Sequence, residues 1–177
     1  LVVDLKQELN MKIVSQIMTR DARSVKPSDS VIRAAQAMEE LNVGALPVCD
    51  AERVVGILTD RDIAVRGVAQ GLADQDAKVH EIMTREVKWC MADESVEEVL
   101  RAMSFHQIRR MPVVDRQHHL LGMISLGDIA TQTHGAAVAE ALHEISETET
   151  VHRAGMLPVK LKAGDGSAAT RAGQPSL

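Results

Sequence analysis

Aromatic residues are nearly missing from this chain of 177 residues, which has one Trp, one Phe and no Tyr. Single-stranded nucleic acids are held on aromatic stacking platforms, so that class of binding is not expected. A net charge of −5 works against nucleic-acid partners more generally. Long hydrophobic runs are missing too. None exceeds five residues, as in Val54-Val55-Gly56-Ile57-Leu58, against the roughly 18–20 residues that a membrane-spanning helix needs. No charged-then-apolar leader precedes a small-residue cleavage site, so a cytoplasmic location without a secretory signal is expected. Cysteine is scarce: Cys49 and Cys90 form no CxxC pair and are expected to be two reduced core thiols. There is no P-loop, no GxGxxG and no Ser/His/Asp or Cys/His constellation, so no catalytic residue and no catalytic cofactor are expected. His118 and His119 are adjacent, cannot both face one ligand position and have no third ligand at a useful spacing, so no metal site is expected.

What is present is globular: 45% apolar and 25% charged residues. With aromatics absent, the core is expected from Val, Ile, Leu, Ala and nine adaptable Met, with Trp89 packed between two halves of the fold. Those halves are visible as an internal repeat. Ile17-Met18-Thr19-Arg20 recurs as Ile82-Met83-Thr84-Arg85, an offset of 65, and at the same offset Ser30-Val31 matches Ser95-Val96 and Pro47-Val48 matches Pro112-Val113. One inserted residue then moves the offset to 66, where Gly56-Ile57-Leu58-Thr59 matches Gly122-Met123-Ile124-Ser125 and Asp62-Ile63-Ala64 matches Asp128-Ile129-Ala130. A single loop insertion between two kept registers is the mark of duplication.

Each copy reads as strand, helix, strand, strand, helix over about 50 residues. After Ile-Met-Thr comes an extended piece, Arg23–Lys26 or Val87–Met91. The pairs Asp29-Ser30 and Glu94-Ser95 open a helix, with the acid suited to the N-terminus. Apolar residues at helical spacing come next: Val31, Ala34, Ala35, Met38 and Leu41 in the first copy, and Val96, Val99, Leu100 and Met103 in the second. Two strands joined by a turn complete the pattern, Leu46–Cys49 with Val54–Leu58, and Met111–Val114 with Leu120–Ile124. A unit of this size cannot bury an adequate core alone. The two copies are therefore expected to pack sheet to sheet about a pseudo-twofold axis in one α+β module. The expected organisation is an extension over 1–12, repeats over 13–67 and 79–133, a connector over 68–78 and a C-terminal helix over 134–146. The helix has Val138, Ala141, Leu142 and Ile145 on one side. A disordered tail over 147–177 is expected to carry an apolar docking patch at Met156–Leu161.

At these residues the chain resembles a tandem pair of CBS domains, the Bateman module. The resemblance is carried by the opening Ile-Met-Thr and by the central Val43-Gly44-Ala45-Leu46-Pro47-Val48 and Ile108-Arg109-Arg110-Met111-Pro112-Val113. The closing Gly-h-h-Thr/Ser-x-x-Asp, at Gly56–Asp62 and Gly122–Asp128, completes it. It covers about residues 13–133 and is similar to small stand-alone bacterial CBS pairs, with no attached enzyme, channel or transporter domain expected. The resemblance implies adenosine-containing ligands, namely AMP, ADP, ATP, NAD or S-adenosylmethionine, and a homodimer formed through helices. It also implies that the closing motif of one repeat faces the strands of the other, which gives two pockets. Pocket A would join Ile57, Thr59, Arg61 and Asp62 to Lys88, Ile108, Arg109, Arg110 and Pro112. Pocket B would join Met123, Ser125 and Asp128 to Ser24, Val43, Gly44, Ala45 and Pro47.

The chemistry of these residue types fits. A carboxylate can accept both ribose hydroxyls, the role expected of Asp62 and Asp128. A hydroxyl at a helix start beside backbone N–H groups suits phosphate, the role expected of Thr59 and Ser125. Arg109 and Arg110, with Arg61 nearby, give pocket A its phosphate partners. Pocket B has Gly44 and Ala45 at the equivalent positions, leaving Arg20 and Arg23 as candidates, so pocket A is expected to bind the phosphate-bearing ligand more tightly. The expected function is a non-enzymatic regulatory module acting on an unknown regulated protein. Its rival is a ligand-independent protein-interaction scaffold.

Overall fold

The computed structural model describes residues 12–71, 76–132 and 138–145. The expected extension up to residue 11, the tail from 147 onward with its docking patch, and residues 134–137 and 146 of the expected helix lie outside them.

The chain runs β1 (Thr19–Arg20), α1 (Val31–Leu41), β2 (Ala45–Asp50), β3 (Arg53–Thr59) and a helical turn α2 (Asp60–Asp62) that continues as a π-helix (Ile63–Val68). It continues through α3 (Val79–Ile82), β4 (Cys90–Met91), α4 (Val96–His106), β5 (Arg110–Val114), β6 (Leu120–Ser125) and α5 (Leu126–Gln132). A last helix, α6, spans 138–145. Two local signals fix the long helices. Ser30 and Ser95 are the N-caps, each accepting from the backbone N–H three residues on, Arg33 and Glu98. The acids before them do something else: Asp29 and Glu94 accept from the N–H groups of Lys26 and Met91 at 2.8 Å and close the preceding turn. Both helices end on a left-handed residue, Asn42 or Gln107.

The buried stripe of α4 is the expected Val96, Val99, Leu100 and Met103. On α1 the buried set is Val31, Ala34, Ala37 and Met38: Ala37 takes the place of Ala35, which is half-buried, and Leu41 is exposed. Leu41 is the last helical residue, beside left-handed Asn42, where the chain is already turning away from the core. Trp89, expected to be packed, is half-exposed, its ring 4.7 Å from that of His118.

Strands β1-β6-β5-β4 form one sheet and β2-β3 another. The two match once single bridges are added. Cys90 pairs parallel with Val113, and Val25 pairs parallel with Val48; Thr19 pairs with Met123, and Thr84 with Ile57. The Thr of each Ile-Met-Thr motif thus joins the sheet of the other repeat, while the extended piece that follows, at Val25 or Cys90, joins its own. The cores show the same exchange. Val14 is buried with Cys90, Val96, Val113 and Ile124 of repeat 2, while Ala77, Val79, Ile82 and Met83 are buried with Val25, Val31, Val48 and Leu58 of repeat 1. Residues 77 and 78, expected as connector, are therefore tied to repeat 1: Ala77 is buried in its core, and Lys78 bridges Ser30. Each such fully buried aliphatic side chain contributes about 1.5–3 kcal/mol, so each repeat depends on a piece of the other. The sheets also meet on the pseudo-axis, where Arg53 pairs with His119 and Val54 and Leu120 donate to the carbonyls of His118 and Glu52.

Candidate functional site: two clefts between the repeats

Each closing motif makes a rigid corner at the end of a strand. In repeat 1 the Thr59 backbone N–H and hydroxyl both donate to Asp62 Oδ2, at 3.0 and 2.7 Å, and the Asp62 N–H returns a bond to Thr59 Oγ1 at 3.1 Å. Repeat 2 has the same three bonds between Ser125 and Asp128, at 2.8, 2.7 and 3.2 Å. This reciprocal capping box satisfies helix-start donors and fixes the carboxylate. The acids are caps and candidate ligand acceptors at once, since each keeps a second oxygen. That oxygen distinguishes the corners. Asp62 is buried and its Oδ1 lies 3.4 Å from Arg66, whose guanidinium also donates to the Ile82 carbonyl and the Thr84 hydroxyl. Asp128 is only partly buried, and its Oδ1 meets no partner among the described residues.

A cleft of about 510 Å³ opens at the first corner. Ile57, Thr59, Arg61 and Asp62 line it from repeat 1, and Lys88, Ile108, Arg109 and Arg110 face them from repeat 2. Those eight are the residues expected for pocket A. The ninth, Pro112, is buried and does not line it. Its counterpart Pro47 does line pocket B, where the residue two positions earlier is Ala45 rather than Arg110.

A second cleft, of about 390 Å³, opens at the other corner. Met123, Ser125 and Asp128 face Val43, Ala45 and Pro47, as expected for pocket B. Ser24 and Gly44 do not line it. Ser24 is exposed, and its hydroxyl acts on the Cys49 thiol, offsetting part of the rise that burial causes; the Gly44 carbonyl accepts the Asp60 N–H at 3.1 Å. A Cβ at Gly44 would stand 2.7 Å from Asp60 Oδ2, the end of an exposed side chain that can shift. Arg23 lines pocket B, held 3.3 Å from Glu40, and Arg110 reaches it as well as pocket A. Arg20 turns away to the Ser15 carbonyl.

Both clefts are also lined by the Thr of Ile-Met-Thr and the residues just after it, a stretch of which motif reading reached only Lys88 and, as a candidate, Arg23. Thr19, Asp21, Ala22 and Arg23 line one cleft, and Thr84, Glu86, Val87 and Lys88 the other. A signal was present: at an offset of 65, acid answers acid at Asp21/Glu86 and cation answers cation at Arg23/Lys88. The cation balance favours pocket A. Arg61, Lys88, Arg109 and Arg110 face Asp60, Asp62 and Glu86 there, whereas Arg23 and Arg110 balance Asp21 and Asp128 in pocket B.

Among the described residues, no three His, Cys, Asp or Glu side chains come together as a metal site, and no helix is long and apolar enough to cross a membrane. Both cysteines are free and buried, and burial pushes the Cys90 thiol up to about 12.

The model of the CBS domain matches twice, at residues 14–67 and 79–135. This chain belongs to the CBS-domain family. As a CBS pair it is 39% identical to the CBS domain-containing protein YhcV of Bacillus subtilis over 143 residues, 80% of this chain and all of that one. It is 35% identical to Hypoxic response protein 1 of Mycobacterium tuberculosis, over 76% of this chain and 94% of that one. The crystal structure of Hypoxic Response Protein I with two coordinated zinc ions superposes with a TM-score of 0.63 at 37% identity, covering 68% of this chain and 98% of that one. The CBS pair of protein MJ0100, in complex with 5-methylthioadenosine and S-adenosyl-L-methionine, superposes with a TM-score of 0.62 at 31% identity over the same shares.

Proposed function

We propose that this CBS pair is a non-enzymatic regulatory sensor that binds adenosine nucleotides in its two inter-repeat clefts. The observation that carries this reading is the duplicated corner, a carboxylate locked to a hydroxyl at a helix start and facing the other repeat across a cleft. In pocket A the ribose hydroxyls donate to Asp62. The phosphates meet the Thr59 helix start with Arg109 and Arg110, and the base lies among Ile57, Val87 and Ile108. The adenosine-containing ligands of MJ0100 support the ligand class. Pocket A takes the phosphate-bearing ligand more tightly because of its cations. A ligand bridging both repeats shifts their relative arrangement by the difference in its affinity for the two states, and that shift is the signal. The chain acts as a homodimer, with Ile32 on α1 and Val65 and Val68 on the neighbouring π-helix as exposed apolar residues for the contact.

The test is a thermal-shift panel of AMP, ADP, ATP, NAD and S-adenosylmethionine, because a ligand that binds only the native state raises its melting temperature. A shift that disappears in Asp62→Ala is the expected result. No shift with any of them in folded protein would leave the interaction scaffold as the better reading. The exposed Phe105, at 83% accessibility, is the feature that favours that alternative.

A further inference from the structure

Helix α6 lies beyond residue 135, where the second CBS match ends. It is docked on repeat 2: Val138, Ala141 and Ile145 are buried in the core that holds Val99, Met103 and Ile129. Leu142, expected on the same face, is exposed. The Ser104 hydroxyl on α4 donates to the Glu144 carboxylate and ties the end of α6 down. Ile145, at the end of the described helix, then does a second thing. It forms part of the wall of pocket A, with Ile57, Val87 and Ile108.

Among the described residues, pocket B has no counterpart to it. The pseudo-twofold reproduces most other walls, with Ile57 answered by Met123, Val87 by Ala22 and Ile108 by Val43, but every described residue that lines pocket B comes from the repeats themselves. Among the described residues Ile145 is thus an addition to one cleft, made by a helix outside the matched domains. In a chain with almost no aromatics, a flat purine in this cleft gains its contact from aliphatic side chains.

We infer that α6 is a ligand-coupled element of pocket A. A purine in the cleft touches Ile145 only when α6 is docked, so occupancy of pocket A stabilises the docked helix and the docked helix tightens pocket A by the same factor. The docking of α6 therefore responds to the state of pocket A and not to that of pocket B. This inference rests on the reading of pocket A as an adenosine site, and its test separates the two.

The experiment uses the full chain with AMP, ATP and S-adenosylmethionine as probes, reading affinity by calorimetry and amide exchange of residues 139–145 by mass spectrometry. In Ile145→Ala the Asp62-dependent site weakens about tenfold, the size of one partly buried aliphatic contact, and the other site is unchanged. Ser104→Ala loosens α6 without touching the cleft and weakens the same site about two- to threefold. Saturating probe slows exchange of 139–145 in the native chain and in Asp128→Ala, and does not in Asp62→Ala. If a probe binds at the Asp62-dependent site with full affinity in both variants and leaves the exchange of 139–145 unchanged, the coupling is overturned and the adenosine reading stands. If no probe binds the native chain at all, both are overturned.

Discussion

Pocket A and pocket B share a plan and differ at four places. The first is the central motif, Arg109-Arg110 in one repeat and Gly44-Ala45 in the other. The second is behind the corner, where Arg66 holds Asp62 while the equivalent position in repeat 2 is Gln132, whose backbone carbonyl is engaged by the Lys12 ammonium. The third is the start of the last helix of each repeat, Asp60-Arg61 in one and Leu126-Gly127 in the other. The fourth is Ile145, which lines pocket A and has no counterpart among the described residues that line pocket B. The corners that would hold a ribose are nearly superimposable in their bonding. The specialisation lies in their surroundings. A duplicated site can keep its acceptor and hydroxyl while the charge and the walls around it diverge, and in this chain the cations are more numerous at pocket A.

The sharpest way to break the symmetry is at the paired glycines of β3 and β6. A Cβ at Gly122 would stand 2.3 Å from the Thr19 carbonyl oxygen, which is backbone and cannot yield without moving β1. At Gly56 the nearest atom is the Met83 sulfur at 2.6 Å, the flexible part of a side chain. Gly122→Ala is expected to cost about 3 kcal/mol and Gly56→Ala about 1 kcal/mol, read as the difference in urea midpoints at constant m. Equal costs would show that the two arms are held equally loosely.

Next in size come the corner acids. Asp62 satisfies two donors of Thr59 and anchors Arg66, which in turn holds the arm at Ile82 and Thr84. Asp128 satisfies only the Ser125 donors. Asp62→Ala should lose about 2 kcal/mol and Asp128→Ala about 1 kcal/mol, measured by the same denaturation. Arg66→Gln places in repeat 1 what stands at the equivalent position of repeat 2. Because the Arg66 side chain is 43% exposed, its pair with Asp62 is partly screened, and the loss should stay below about 1 kcal/mol. Its clearer signature is faster amide exchange over 79–84, with no change over 12–20.

The thiols add an effect confined to high pH. Cys90 has its folded pKa raised to about 12 from 9.0, first by burial and then by Glu94. Between those values the unfolded chain has lost the proton and the folded chain has kept it, so stability is intact below pH 9 and falls as pH rises toward 12. Cys90→Ala should flatten that slope, as tracked by chemical denaturation from pH 8 to 11. Cys49, also raised by burial but bonded to Ser24, should react with a thiol reagent before Cys90.

Most of this arrangement is legible in the residues. The offsets of 65 and 66 align Ile57 with Met123, Thr59 with Ser125 and Asp62 with Asp128, and these pairs occupy matching places in the two clefts. Two adjacent candidate caps blur the helix starts: Asp29 and Ser30 can each accept a backbone N–H, and only the backbone shows that serine takes the cap. The exchange of arms is not legible, because Thr19 meeting Met123 and Thr84 meeting Ile57 are long-range pairings with no local signature. For that reason motif reading passes over Asp21 and Glu86 and reaches Arg23 only as a candidate, although their own repetition marks them. Pro112 is misplaced because motif alignment equates it with Pro47, whereas Pro112 is buried and does not line the cleft.

The most direct test of unequal adenosine sites is calorimetric titration of ATP into the native chain, Asp62→Ala and Asp128→Ala, each checked for folding. Two sites of different affinity are predicted, with the tighter one absent in Asp62→Ala and kept in Asp128→Ala. Loss of the tighter site in Asp128→Ala with its survival in Asp62→Ala would contradict the account.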